Sequence, residues 1–299
     1  MTETPTQPKT EGSPPRKAPA GFTVPQWKDF CDKGFIAIPG AMGEDEAARY
    51  REAAQELIGR YPDYDPAHAF RLANVLPEHK TLWELIDHDR HVGFPYDIYG
   101  EQMQLVQSDL FVRPPGGIVN HWHIDGPRAL PYRVFSPDLP LKLRIGYWLT
   151  NVPETEMGNY VYVPGSHKAD YDREHSGTGD VPGQEVICGP AGTMTVAHAN
   201  IWHRIDPNFS DRTRITIFLT YAPSWLANYY SYPDELLGQL SREQRIILRP
   251  YTDGEDFVRP PKQDLPLFVG DYVPSGPADT DFHKIRRLTR YERELRTAR

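Results

Sequence analysis

Between about residues 103 and 222 the chain consists of short alternating runs of apolar, β-branched and aromatic residues with no helical stretch between them. The runs are 104-QLVQSDLFVR-113, 142-KLRIGYWLTN-151, 159-NYVYV-163, 185-EVICG-189, 193-TMTVA-197 and 213-TRITIFLTYA-222, each bounded by Pro, Gly, Asn or Asp. Parallel strands need long, usually helical crossovers, so strands in direct succession must pair antiparallel. The prediction is a mainly β fold, an antiparallel sandwich or barrel of the jelly-roll kind.

The flanks read differently. Residues 1–20 are polar and Pro-rich with almost nothing to bury, and are expected to be disordered. Helix, strand and helix are predicted over 25–61: Pro25 suits a helix start, Gly34 a helix end, and Ala47, Tyr50, Ala54, Leu57 and Ile58 form one apolar helical stripe. Residues 223–299 read as a C-terminal extension, with one helix over 233–248, a Pro-rich run over 258–277 that wraps the surface, and a solvated terminal helix. A single domain is therefore expected over 21–299, with its β core at about 103–222.

Composition excludes several functions. No window approaches the roughly 18–20 continuous apolar residues of a membrane helix, and no basic-then-apolar leader opens the chain, so a cytoplasmic protein is expected. The formal charge of -8 argues against nucleic acid as a partner. The two cysteines, Cys31 and Cys188, are too few for a thiolate metal site, so any bound metal is held by nitrogen and oxygen.

Such ligands occur in 121-HWHIDG-126. On an extended chain His123 and Asp125 project to one side and can share an ion, with His121 on the same side as a possible substrate contact. A His-x-Asp triplet alone is weak. It gains weight from 192-GTMTVAHANIWHRIDPNFSDRTRITIFLTY-221, where His198 and His203 follow one strand and Arg214 opens the next. Two histidines and one carboxylate leave open positions on a metal, as in non-haem Fe(II) oxygenases. Along its strand Arg214 shares a face with Thr216, Phe218 and Thr220. A guanidinium there needs an anion, either a ligand carboxylate or a protein one such as Asp211 or Glu156.

These motifs resemble those of the phytanoyl-CoA dioxygenase family of Fe(II)/2-oxoglutarate oxygenases, over roughly residues 25 to 250. The resemblance implies His123, Asp125 and His203 as metal ligands. Asn208, Ser210 and Arg214 stand five, seven and eleven residues after His203, matching the family's downstream signature, whereas counting from His198 breaks the register. The turn 158-GNYVYVPGSH-167 is similar to another family motif. The resemblance further implies a double-stranded β-helix with flanking N-terminal helices, and Fe(II), 2-oxoglutarate and O2 as cofactor and cosubstrates. It assigns Arg214 to the cosubstrate C5 carboxylate, and Gln107 and Tyr147 to its neighbourhood. Ile205 departs from the pattern, because relatives often carry a small hydroxyl residue there.

A lid is expected over about 126–142, with Arg128, Tyr132 and Arg133 as substrate contacts, and Trp225, Tyr229 and Tyr230 in 222-APSWLANYYSYPDELL-237 as further ones. The expected substrate is a small metabolite or natural product that is most simply hydroxylated, with release of succinate and CO2. The rival readings are a non-catalytic, metal-holding cupin-like binding or sensing protein and a mononuclear zinc hydrolase. Nothing in the sequence sets the oligomeric state.

Overall fold

The computed structural model describes residues 14–117, 120–126, 140–168, 177–228, 230–251, 260–261 and 264–269. Helix α1 (Val24–Lys33) opens on a Thr23–Gln26 capping box and closes on Gly34, whose φ of 75° is the left-handed conformation that glycine tolerates. Strand β1 (Phe35–Ile38) and helix α2 (Glu44–Gly59) follow, and the predicted stripe Ala47, Tyr50, Ala54, Leu57 and Ile58 is buried. After β2 (Phe70–Ala73) and the short helices α3 (Lys80–Trp83) and α4 (Gly93–Tyr99) come β3 (Met103–Arg113), β4 (Leu143–Trp148), β5 (Tyr160–Tyr162), β6 (Glu185–Val186), β7 (Met194–His198), β8 (His203–Ile205) and β9 (Arg214–Pro223).

All pairings between these strands are antiparallel. One sheet has six strands in the order β1-β7-β4-β9-β3-β2, the other three in the order β6-β5-β8, which is the jelly-roll arrangement. Residue parity divides the larger sheet. Leu110, Val112, Leu143, Ile145, Ile217, Leu219 and Tyr221 point to its outer face and join the main core with Tyr50, Leu57 and Ile98 from the helices. Trp148, Ala197 and Phe218 point inward and meet Tyr160, Tyr162 and Ile205 of the smaller sheet. At about 25 cal/mol per Å2 of apolar area removed from water, the outer face supplies much of the burial that holds the fold. The inner face is free to carry polar groups.

Three expectations are corrected. The N-terminal segment is not wholly outside the fold: Ala18 N–H donates to Val269 O at 2.6 Å, and Arg16 pairs with Asp87 at 2.9 Å. Nor does the far C-terminal segment merely wrap the surface, since Leu267 and Phe268 are core residues. The single helix over 233–248 is two, α5 (Asp234–Leu237) and α6 (Arg242–Leu248), because Ser241 and Gln244 form a new capping box between them. The terminal stretch 270–299 lies outside the described residues.

Candidate metal and cosubstrate site

The two halves of the histidine–carboxylate pattern are joined by backbone. His123 N–H donates to His203 O at 2.9 Å and His203 N–H returns to His123 O at 3.0 Å. Two residues on, Asp125 and Gly126 both donate to Ala199 O. Gly126 lets the segments cross closely: a Cβ there would fall 1.7 Å from the Asn200 side-chain oxygen, which would have to move. His123, Asp125 and His203 thereby place one ligand atom each within 4.8 Å of one another.

The chemistry of these atoms fits a divalent ion. His123 Nδ1 lies 2.8 Å from His121 O and His203 Nδ1 lies 3.1 Å from Ile201 O, so each Nδ1 carries the proton and each Nε2 keeps its lone pair. Those two Nε2 atoms face Asp125, at 3.8 Å and 3.3 Å. Burial pushes the His203 imidazole down to about 3, against the opposing pull of Asp125, so it is neutral and ready to ligate at physiological pH. Burial would raise the Asp125 carboxyl, but Arg144 and the two imidazoles outweigh it and hold the group below the ordinary carboxylate range. Tyr160 stacks on His203 with ring centroids 4.7 Å apart. His198 takes no part: its Nδ1 accepts from Asn200 N–H, and its ring lies beside those of Phe30 and His167.

The triad opens into a cavity of about 320 Å3 between the sheets. Arg214 lines it, 3 % exposed, with Nη1 on Gly158 O and Nε without a partner. Neither protein carboxylate suggested for it is engaged, and Asp211 instead pairs with Arg212 at 3.7 Å. Directly across β3–β9 stands Arg113, also in the cavity. Burial, reinforced by Arg113, pulls the Arg214 guanidinium down to about 9, and burial lowers Arg113 as well. Two neighbouring buried cations without a described carboxylate are costly and await an anion. Asn208 and Ser210 do not reach the cavity. Asn208 Nδ2 donates to Arg113 O and Arg212 O while Ser210 Oγ donates to Asn208 Oδ1, a knot that fixes the turn before Arg214.

Gln107 lines the cavity because β3 bulges between Leu105 and Gln107, which lets Leu105 face the core opposite Tyr221 while Gln107 faces inward opposite Thr220. Tyr147 does not. It sits on the outer face, fully buried, its hydroxyl 2.5 Å from His91 Nδ1, and the expectation of a cosubstrate contact is corrected. His121 and Trp225 are exposed and Tyr230 half-buried, and none of them lines the cavity. Arg128, Tyr132, Arg133 and Tyr229, with most of the expected lid, lie outside the described residues. Sequence reasoning missed Arg71, Asp109, Arg113, Lys142, Arg144 and Tyr160, all of which line the cavity. Asp109, Arg113 and Arg144 share the polar parity of their strands, the signal that singled out Arg214.

Comparisons with known proteins show the family and the reaction class. The model of the family described as "Phytanoyl-CoA dioxygenase (PhyH)" matches residues 30–216. A protein of Stutzerimonas stutzeri named "Probable alpha-ketoglutarate-dependent hypophosphite dioxygenase" is 25% identical over 266 residues, covering 76% of this chain and 90% of the relative. The ectoine dioxygenase of Streptomyces avermitilis is 23% identical over 246 residues, covering 68% and 79%. Among solved structures, HygX from Streptomyces hygroscopicus with nickel and 2-oxoglutarate bound shares the fold, with a TM-score of 0.61 at 19% identity, covering 71% of this chain and 91% of that one. The chain belongs to the phytanoyl-CoA dioxygenase family and is a non-haem iron, 2-oxoglutarate-dependent dioxygenase.

Proposed function

We propose that this dioxygenase oxidises a small soluble molecule, with hydroxylation as the default outcome and succinate and CO2 as coproducts. His123, Asp125 and His203 would hold the iron, and Arg214 with Arg113 the distal carboxylate of 2-oxoglutarate. The observation that carries this reading is the Arg214 guanidinium, buried in the cavity that holds the triad with no counter-ion among the described residues. Bound there, iron would activate dioxygen, the oxidant of the reaction. The chain's own contribution is placement. The backbone bridge sets the ligand spacing, the Nδ1 hydrogen bonds aim both imidazoles, and Phe218, Tyr160 and Ile205 wall the cavity against water. The two relatives named for their substrates act on small molecules, hypophosphite and ectoine, which supports a small substrate here.

Screening iron-loaded protein for succinate production against a metabolite panel tests the activity, and metal analysis of two variants tests the site. His203→Ala should lose both iron and turnover, whereas His198→Ala should keep the metal. Iron retained in His203→Ala and lost in His198→Ala would overturn the assignment.

A further inference from the structure

Of the three side chains that would hold the ion, Asp125 is the one whose binding mode is open. His123 and His203 each offer a single atom, because the hydrogen bond at Nδ1 fixes the ring and leaves Nε2. A carboxylate can close on an ion with one oxygen or with both. The difference decides the chemistry. An octahedral ion held by three protein atoms keeps three positions for ligands, whereas a carboxylate bound through both oxygens would leave two. An α-keto acid that chelates takes two, so dioxygen has a place only in the first case.

Asp125 lies outside the strands, its N–H donating to Ala199 O at 2.8 Å. Ala199 N–H in turn donates to Lys142 O at 3.1 Å, just before β4, so this segment is tied to the strand that carries Arg144. That strand pairs on both sides, with β7 and β9, and gives Arg144 a rigid base. Arg144 Nη1 donates to Asp125 Oδ2, and Oδ1 accepts from no described residue. Oδ1, 3.8 Å from His123 Nε2, is thereby left for the ion.

The guanidinium is aimed by more than its ion pair. It lies 4.4 Å from the Phe218 ring centroid. A Cβ at Gly146 would fall 2.6 Å from Phe218 Cε1 and 2.4 Å from Thr195 Oγ1, so glycine there leaves both side chains their places. A guanidinium that meets a carboxylate squarely takes both oxygens in a paired fork. Here one nitrogen engages one oxygen, and Nε has no partner among the described residues.

We infer that Arg144 is a positioning residue: by occupying Oδ2 of Asp125 it limits that ligand to one oxygen and keeps the third position at the ion open. The inference rests on the dioxygenase reading and concerns the metal ligand before any cosubstrate binds.

Counting the water molecules on the ion tests it without turnover and without 2-oxoglutarate. Protein loaded with manganese(II), free of dioxygen, is measured in ordinary water and in water enriched in the oxygen isotope that carries a nuclear spin, and the broadening of the EPR lines gives the number bound. The unmodified protein should hold three and Arg144→Met two, with the metal retained, because a cation has left the ion's side and a second oxygen has joined it. Arg144→Lys, which keeps a donor and the charge, should hold three. Added 2-oxoglutarate should leave one water on the unmodified protein and none on Arg144→Met. Three waters on metal-loaded Arg144→Met would overturn the inference, and a fall in its 2-oxoglutarate affinity alone would give Arg144 to the cosubstrate instead. Loss of the metal from that variant would overturn it too, by showing a merely structural role. Should Arg144→Met fail to fold, Arg144→Gln, shorter and uncharged, takes its place with the same expectation. Two waters on the unmodified protein would overturn the inference and leave the proposed function standing, whereas unmodified protein that binds no manganese(II) overturns the proposed function itself.

Discussion

The two faces of the six-stranded sheet both bury polar groups, and they treat them in opposite ways. On the outer face His91 lies between two phenols. Tyr221 donates to Ile86 O at 2.9 Å and so accepts from His91 Nε2 at 2.7 Å, leaving His91 Nδ1 to accept from Tyr147 at 2.5 Å. Every proton has a place and the imidazole is locked neutral, in keeping with a pKa that burial drives well below its ordinary value. On the inner face Asp109 Oδ1, Arg144 Nε, Arg214 Nε and Thr216 Oγ1 are buried without partners. A completed network rigidifies a core, whereas an incomplete one costs stability until a ligand completes it. Satisfaction, rather than polarity, separates the structural face from the working one.

Breaking the inner face should cost function and spare the fold. Arg214→Lys removes the planar fork, so the 2-oxoglutarate requirement should rise roughly ten- to a hundred-fold, equivalent to about 1.5–3 kcal/mol. The melting temperature should stay where it was, and an unchanged cosubstrate titration would show that Arg113 suffices. Breaking the outer face should do the reverse. Tyr221→Phe leaves the Ile86 carbonyl and His91 without their partner and should cost about 1–3 kcal/mol in denaturant unfolding. Its 2-oxoglutarate affinity should match the unmodified protein's, and a shift there would mean that the two faces are coupled.

The smallest effect is a slope. His91, depressed first by burial and then by His88 and Arg90, refuses a proton that the unfolded chain accepts below an ordinary imidazole value of about 6.5. Stability is thus fully present above that pH and is lost on acidification, by up to about 1.4 kcal/mol per pH unit for each such group. His203 adds the same sign in the metal-free protein. A His91→Gln variant, melted between pH 7 and 5, should show a shallower decline. Equal slopes would mean that His91 titrates normally.

Much of this was legible in the sequence because strand periodicity carries it. The parity that set Arg214 apart from Ile215 and Ile217 also names Asp109 and Arg113 on β3 and Arg144 on β4, and it places Tyr147 with Leu143 and Ile145 on the outer face. For Tyr147 the two signals conflict: the resemblance sets it beside the cosubstrate, whereas the parity of β4 turns it to the outer face. Other features had no local signal. The bulge at Leu105–Gln107 depends on which residue of β9 lies opposite, and the cap at Ser241 competes with a helical pattern that runs through it. The pairing of residues 16–18 with Val269 joins a polar segment to an apolar one too distant in the chain for either to suggest the other.

The reciprocal hydrogen bonds between His123 and His203 have one more consequence. They involve only main-chain atoms, so the spacing at the centre is written into the backbone and owes nothing to the side chains hung on it. Replacing one ligand with a residue of different donor character leaves the attachment points where they were. The frame and the chemistry it presents can therefore diverge independently, and a lineage can exchange donors at positions 123, 125 and 203 without first reinventing the scaffold.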